Sequence, residues 1–336
     1  MSESGESTDS TEDPRFARRV FHGGLRRAWA AALPVVNLAM RCRAPSGRPI
    51  FVTGNGRSGT SWIGETLGKA PGVVYYREPC NLPMTEHSDD TVWARYVPPG
   101  GRDTFFESRL SRSFRGLVEE HDPAPFRALA RRWNGPYRVL VKEVATFPSV
   151  EWVARRWKPE VVLVVRHPCA CALSVGNAAL DRTEHARLTH LLEDDRRKEG
   201  HLESYREHLR SAKTPLEVSA AIWSAKSVIV SNAHARHDDW RLVRYEDICD
   251  DPLGSFQSLY GELGLSWTQE VETWLKKATS ESSEGAFSTR RVTALQRDAW
   301  RRTMTPRQID EVRRIVEGTD LPYYASDADW RSEGES

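Results

Sequence analysis

A glycine-rich loop between a short apolar run and an amphipathic segment most constrains how this chain can fold. The run Pro49–Thr53 predicts a short buried strand, and the segment that opens at Ser61 predicts a helix. The loop between them reads Gly54-Asn-Gly-Arg-Ser-Gly-Thr60. Backbone N–H groups of such a loop, together with the positive end of the helix, form an anion site. We therefore expect an anion to bind where the first strand meets the first helix.

Further apolar runs predict the rest of a sheet. The additional strands are predicted at Arg138–Lys142, Val161–Val165 and Arg241–Tyr245. Between and after them, residues 253–263 and 309–316 place apolar side chains at helical spacing, and Thr305-Pro306 is a helix start signal. Strand–helix alternation predicts an α/β fold, a P-loop-type doubly wound parallel sheet flanked by helices.

The chain is expected to form one domain with two tails. Residues 1–47 are predicted to be a disordered acidic tail followed by a basic arm, residues 48–325 a single domain, and residues 326–336 a disordered acidic tail. Residues 84–136 and 181–215 fit the core pattern poorly. They are predicted to be insertions, where a substrate site would be built.

The basic arm has no acidic residue from Arg15 to Arg57. One interpretation is a solvated arm packed on the domain, and the other is contact with an anionic membrane surface or an anionic substrate. The arginines of this arm are Arg15, Arg18, Arg19, Arg26, Arg27, Arg41, Arg43 and Arg48.

Composition narrows the class of protein. The net charge of +1 does not support a nucleic-acid binder. The apolar run Ala28–Met40 is too short to cross a bilayer and contains Pro34 and Asn37. Five cysteines without a CxxC pair suggest neither disulfides nor a zinc site, so we expect a cytoplasmic protein, with peripheral membrane contact left open.

The loop departs from the pattern GxxxxGK[ST] of nucleotide triphosphatases. Thr60 stands where that pattern requires lysine, and the basic residue lies inside the loop at Arg57. A triphosphate would lose the cation that bridges its β- and γ-phosphates. A small-molecule kinase that uses ATP and Mg²⁺ remains an alternative, although no aspartate closes the strand Val161–Val165.

The segment Gly56-Arg-Ser-Gly-Thr-Ser-Trp62 resembles the 5′-phosphosulfate loop of the PAPS-dependent sulfotransferases. The resemblance implies that the donor is 3′-phosphoadenosine 5′-phosphosulfate (PAPS) and that Arg57 contacts its bridging oxygen. It also implies that Trp62 lies near the adenine. The residues implied to cradle the 5′-phosphate are Gly56, Ser58, Gly59, Thr60 and Ser61.

A second motif completes the resemblance. Arg166 closes the all-aliphatic strand and Ser174 follows eight residues later, the pattern that binds the 3′-phosphate in this family. A buried strand should not end in arginine without an anion or an ion pair. By resemblance, Tyr245 of a Tyr-Glu-Asp segment lies near the adenine, and Arg290, ten residues before Trp300, contacts the 3′-phosphate. Alternatively, Tyr245 is core and Arg290 is basic surface.

Sulfuryl transfer to a hydroxyl needs a base on the attacking oxygen and positive charge on the leaving oxygen, but no metal. The strand end Val141-Lys-Glu-Val144 lacks the histidine of the cytosolic enzymes. By resemblance to tyrosylprotein and carbohydrate enzymes, Glu78 is the candidate base and Lys142 stabilises the sulfuryl oxygens. Glu143 or a histidine in 181–215 is the runner-up base, and an ion pair is the alternative role of Glu78.

The expected function is sulfuryl transfer from PAPS to a hydroxyl of a glycan, glycolipid or glycosylated natural product. A non-catalytic adenosine-bisphosphate-binding module is the other alternative. The aromatics of the first insertion would line the acceptor site or form local core. These aromatics are Trp93, Tyr96, Phe105 and Phe106.

Overall fold

Five parallel strands form the centre of the fold in the computed structural model, which describes residues 28–29, 31–81, 90–118, 125–175, 182–280 and 297–330. The spatial order is β2-β3-β1-β4-β5. The prediction of a parallel α/β sheet is confirmed. The strands are β1 (Ile50–Gly54), β2 (Val73–Arg77), β3 (Arg138–Lys142), β4 (Glu160–Val165) and β5 (Arg241–Arg244).

Helices cover both faces of the sheet because neighbouring strand residues alternate in direction. Phe51, Val161 and Leu163 face one buried cluster, whereas Val52 and Val162 face the other. Every residue of the run 161–165 is buried, as its aliphatic composition predicts for a strand covered on both sides. The sheet is therefore doubly wound.

The helices follow the strands in chain order. They are α1 (residues 31–40), α2 (Thr60–Leu67), α3 (Thr104–Phe114), α4 (Pro125–Trp133), α5 (Val150–Trp157), α6 (Pro168–Val175), α7 (Arg182–Lys198), α8 (Arg206–Arg210), α9 (Pro215–His234), α10 (Tyr245–Asp250), α11 (Pro252–Glu262), α12 (Gln269–Ser280), α13 (Ala299–Thr303), α14 (Pro306–Glu317) and α15 (Asp327–Trp330). The start signal Thr305-Pro306 is confirmed, since Thr305 and Gln308 form a reciprocal capping box at α14. None of the described helices is long and apolar enough to cross a bilayer.

The topology positions the site. Strand β1 lies between β3 and β4, so the loop after β1 emerges at the middle of the carboxyl edge. The chain continues from β1 to one side of the sheet and later returns to the other side through β4. Ligands of open α/β sheets bind at the carboxyl edge beside such a reversal.

Part of the predicted arm packs on the domain. Leu33 and Met40 of α1 are buried against Leu117 and Val118. Asn37 accepts the N–H of Val118 at 2.8 Å and donates to its carbonyl at 3.1 Å. Residues 1–27 lie outside the described part of the chain.

The predicted acidic tail from residue 326 is wrong for residues 327–330, which form α15. Trp330 is only 3% exposed, and its indole N–H donates to the carbonyl of Tyr324 at 2.9 Å. Its ring packs edge-on against His167, which follows β4. The acidic composition of residues 326–336 gave no sign that Trp330 would be buried and would anchor this segment.

We expect Trp330→Ala to destabilise the fold by roughly 3 kcal/mol, because it removes a buried indole and its hydrogen bond. Thermal unfolding measures the effect as a lower Tm. Trp133→Ala is the matched control, because Trp133 is 58% exposed and its loss should leave Tm nearly unchanged. Equal Tm values for the two variants would contradict the anchoring role of Trp330.

Candidate active site

The loop between β1 and α2 has a backbone that requires glycine at Gly59. Its φ of 87° lies in the left-handed region. A Cβ built there would stand 2.3 Å from Cδ2 of Tyr245. The ring of Tyr245 therefore packs directly on the loop backbone, which ties the end of β5 to the predicted anion site.

Residues 56–61 of the loop differ in their exposure. Gly56 is exposed, and Arg57, Gly59 and Ser61 are half-buried. Ser58 and Thr60 are buried, and the Ser58 hydroxyl lies 3.7 Å from Sγ of Cys171. Because Arg57 has a φ of 70°, the chain bends sharply where the motif carries its basic residue.

Arg57, Arg166 and Ser174 come together although more than a hundred residues separate the first from the others. Nε of Arg57 donates to the Ser174 hydroxyl at 2.8 Å. Nη1 of Arg166 donates to the carbonyl of Arg57 at 3.0 Å. Two guanidinium groups are thus concentrated at the carboxyl edge, where they suit a ligand with more than one anionic group.

Tyr245 and Trp62 form an aromatic wall behind these arginines. The guanidinium carbon of Arg166 lies 4.2 Å from the centre of the Tyr245 ring, a cation–π contact. Trp62 packs edge-on against Tyr245 at 6.0 Å and against Phe256 at 5.3 Å. Both rings are buried, which agrees with the core interpretation of Tyr245. The place of both rings near an adenine stays a prediction.

Glu78 and Lys142 form an ion pair where β2 and β3 end. The N–H of Glu78 donates to the carbonyl of Lys142 at 2.7 Å, and Asn81 donates to the Glu78 carboxylate at 2.8 Å. Burial raises the pKa of Glu78, but the charge and hydrogen bond of Lys142 outweigh it, with Asn81 assisting, so the pKa falls below the ordinary 4.5. The φ of Glu78 is 50°, a strained conformation of the kind found at functional sites.

Glu143, the runner-up base, is placed differently. It is fully buried, and its two carboxylate oxygens accept the N–H groups of Cys80 at 2.7 Å and Ala145 at 2.8 Å. Burial raises its pKa. These contacts make Glu143 a support for the segment that carries Glu78, and they disfavour it as the base.

A buried cluster around His167 was missed by the sequence analysis. Its ring stacks on Trp300 with 4.2 Å between ring centres, and burial lowers its pKa far below the usual value, so it is neutral. The N–H of His167 donates to Glu246 at 2.9 Å, and the hydroxyl of Tyr324 donates to the same carboxylate at 2.7 Å. In the sequence, only Glu246 of the Tyr-Glu-Asp segment pointed to its contact with His167.

Two other predictions have mixed outcomes. Arg290 lies outside the described residues, and only its partner in that motif, Trp300, is placed. In the first insertion, Tyr96 and Phe106 are buried, and the Tyr96 hydroxyl contacts Glu199 and His201. These two aromatics are therefore local core rather than lining of an open site.

Among the described residues, no cluster of His, Cys, Asp or Glu could hold a metal ion.

Comparison with known proteins agrees with the motifs. The model of a family described as "Sulfotransferase family" matches residues 49–269, more than half of the chain. This chain belongs to the sulfotransferase family. The resemblance predicted from the two phosphate motifs is confirmed, and the family match contains every described candidate residue of this sulfotransferase.

Relatives of the sulfotransferase include enzymes named for carbohydrates. Carbohydrate sulfotransferase 5 of Mus musculus is 38% identical over 86 residues, which are 24% of this chain and only 22% of that protein. Carbohydrate sulfotransferase 4 of Mus musculus is 22% identical over 315 residues, covering 80% of each chain. The first match thus spans about a fifth of the relative's length.

Solved structures similar to the sulfotransferase include two domains from biosynthetic proteins. The sulfotransferase domain of the curacin biosynthetic pathway has a TM-score of 0.45 at 15% identity and covers 83% of this chain and 100% of that one. The sulfotransferase domain of the Synechococcus PCC 7002 olefin synthase has a TM-score of 0.44 at 13% identity, with 83% and 97% covered.

We expect Glu246→Ala to weaken binding of adenosine 3′,5′-bisphosphate by roughly tenfold, because the variant loses the acceptor that holds the turn Arg166-His167. Isothermal titration calorimetry measures the Kd. Asp247→Ala is the matched control, since this neighbouring carboxylate is exposed. An unchanged Kd in a folded Glu246→Ala would contradict the positioning role.

Proposed function

We propose that this sulfotransferase transfers the sulfuryl group of PAPS to a hydroxyl of a glycan-containing acceptor. The observation that carries the proposal is the joining of Arg57, Arg166 and Ser174 at the edge where Glu78 and Lys142 also lie. The first three residues can hold two phosphate groups of one nucleotide. The last two can serve the attacking hydroxyl and the sulfuryl oxygens.

The donor is assigned to the carboxyl edge beside β1 and β4. The loop backbone from Gly56 to Ser61, at the amino terminus of α2, offers N–H donors to the 5′-phosphosulfate. Arg166 and Ser174 are assigned to the 3′-phosphate, and Tyr245 and Trp62 to the side of the adenine. Arg290 keeps its assignment to the 3′-phosphate as a prediction.

The transfer is an in-line displacement. The acceptor oxygen attacks sulfur and forms a new S–O bond while the bond from sulfur to the bridging oxygen breaks. Glu78 accepts the hydroxyl proton, and the depressed pKa keeps its carboxylate ready to do so at neutral pH. Arg57 stabilises the charge that develops on the departing phosphate oxygen, and Lys142 offsets the charge of the sulfuryl oxygens.

The acceptor is proposed to carry a sugar hydroxyl. Support comes from the relatives named carbohydrate sulfotransferases. Candidate acceptors are a glycan, a glycolipid or a glycosylated natural product.

The cytoplasm is the proposed location, since all the described cysteines are free thiols, which suits a reducing compartment. These cysteines are Cys42, Cys80, Cys169, Cys171 and Cys249.

Incubation of the protein with radiolabelled PAPS and a panel of glycans tests the function, with ATP and Mg²⁺ in a parallel reaction. We expect label transfer from PAPS, and stabilisation by adenosine 3′,5′-bisphosphate but not by ATP in thermal-shift titration. Phosphate transfer from ATP would establish the kinase alternative instead. Binding of the bisphosphate with no turnover on any acceptor would favour the non-catalytic alternative.

In the same assay, Arg57→Ala and Glu78→Gln should each lower kcat by roughly a hundredfold or more, because they remove leaving-group stabilisation and the base. Glu65→Gln is the matched control, since Glu65 pairs with Arg77 at 3.4 Å outside the proposed site. Full activity in Glu78→Gln would transfer the role of base to another group.

The Lys142→Met variant should shift the pH profile of kcat/KM. With Lys142 present, the Glu78 pKa lies below 4.5, so activity should fall only when the pH drops below that value. Without Lys142, burial dominates and raises the pKa, so the acid limb should move to higher pH. Arg77→Met, which removes the weakest contributor, should shift it less. An acid limb at the same pH in Lys142→Met would exclude Glu78 as the titrating base.

A further inference from the structure

Helix α1 exposes an apolar face. The helix contains no charged residue from 31 to 40. Leu33 and Met40 on one side are buried against the domain, whereas Val35 is 70% exposed and Leu38 is 63% exposed on the other. Ala31, Ala32, Pro34 and Ala39 are also exposed, so the outer side of this helix is apolar along its length.

Trp133 at the end of α4 extends this surface. Its side chain is 58% exposed. Leu129, one turn earlier, packs in the same cluster as Met40 of α1. Arg43 links the two helices, since its Nη2 donates to the carbonyl of Trp133 at 2.8 Å and its guanidinium carbon lies 5.7 Å from the indole centre. We call Val35, Leu38 and Trp133 the α1 face.

The α1 face is unusual within this molecule. Four large apolar side chains are exposed in the described part of the chain, and three of them form this face. The fourth, Leu242, lies on the edge strand β5. Clustering of this kind marks a surface that contacts something other than water.

Positive charge borders the α1 face. Arg41 follows α1, Arg131 precedes Trp133, and both are exposed. Arg112 and Arg115 are exposed next to Leu117 and Val118, on which α1 packs. In the sequence, residues 15–27 contain five arginines and no acidic residue, and they lie outside the described residues. Glu119, Glu120 and Asp122 come after Val118 and lie outside the described residues.

We propose that the α1 face docks the enzyme on an anionic lipid membrane. A second copy of this face would bring like charges together, and so would residues 15–27 folded back on it. Lipid phosphates complement the bordering arginines, while the apolar side chains enter the boundary with the acyl chains. Tryptophan and arginine with aliphatic residues are typical of such interfacial helices.

Docking leaves the donor site free. Arg43 accepts a hydrogen bond at its carbonyl from the Tyr137 hydroxyl at 2.8 Å, and Ser46 donates its N–H to the carbonyl of Tyr137 at 2.7 Å. These bonds hold the end of the α1 segment beside the start of β3, at the amino edge of the sheet. The phosphate-binding loop follows β1 at the opposite edge.

Co-sedimentation of the full chain with vesicles tests the proposal. We expect binding to vesicles of phosphatidylcholine mixed with phosphatidylglycerol, weak binding to phosphatidylcholine alone, and release at high salt. Val35→Glu with Leu38→Glu should lower the bound fraction by roughly tenfold or more. Leu242→Glu is the matched control and should bind as the unaltered chain does. Tm and PAPS turnover should be unchanged in all variants.

Arg41→Glu provides a second variant that leaves the apolar core of α1 intact, and it should weaken binding to the anionic vesicles alone. Undiminished binding in the α1 variants, or equal binding to both vesicle types, would overturn the proposal. So would self-association in sedimentation velocity that the α1 variants abolish, since a second copy would then occupy the face. Vesicle binding and turnover are separate readouts, so either proposal can fail without the other.

Discussion

The site depends on the position of one guanidinium group. Arg166 donates to the carbonyl of Arg57 and packs on the ring of Tyr245, which in turn rests on the backbone of Gly59. One side chain thereby joins the ends of β4 and β5 to the loop after β1. Because Arg166 is buried, its charge must be met by polar groups and a π face, and these contacts restrict where the loop can lie.

Buried carboxylates around the site act on the backbone rather than on a substrate. Glu143 holds the N–H groups of Cys80 and Ala145, and Glu246 holds the N–H of His167. Each of these two carboxylates holds a turn next to a proposed catalytic or binding residue. Glu78 differs, since its charge is balanced by Lys142 and its pKa is lowered while that of Glu143 is raised. Adjacent carboxylates thus have separate roles because their surroundings differ.

The amino edge and the carboxyl edge of the sheet have separate roles. The carboxyl edge concentrates charge on buried strands, where backbone geometry is rigid. The amino edge supports α1 through Tyr137 and Ser46, and α1 presents aliphatic side chains bordered by arginines. An enzyme whose acceptor is attached to lipid would gain from both, since docking raises the local concentration of acceptor without occupying the donor site.

The sequence by itself determined β1, β3, β4, β5 and the phosphate-binding loop, because aliphatic runs and a glycine motif are local patterns. It singled out Arg57 and Arg166 separately, and the hydrogen bond that joins them is seen only in the tertiary structure. Through the resemblance to known sulfotransferases it also pointed to Glu78 and Lys142, which the structure places at neighbouring strand ends. Only the tertiary structure decided that Glu143 faces backbone N–H groups and that Trp330 packs on His167. Those contacts join residues far apart in the chain, and burial and hydrogen-bond partners arise only when the elements pack.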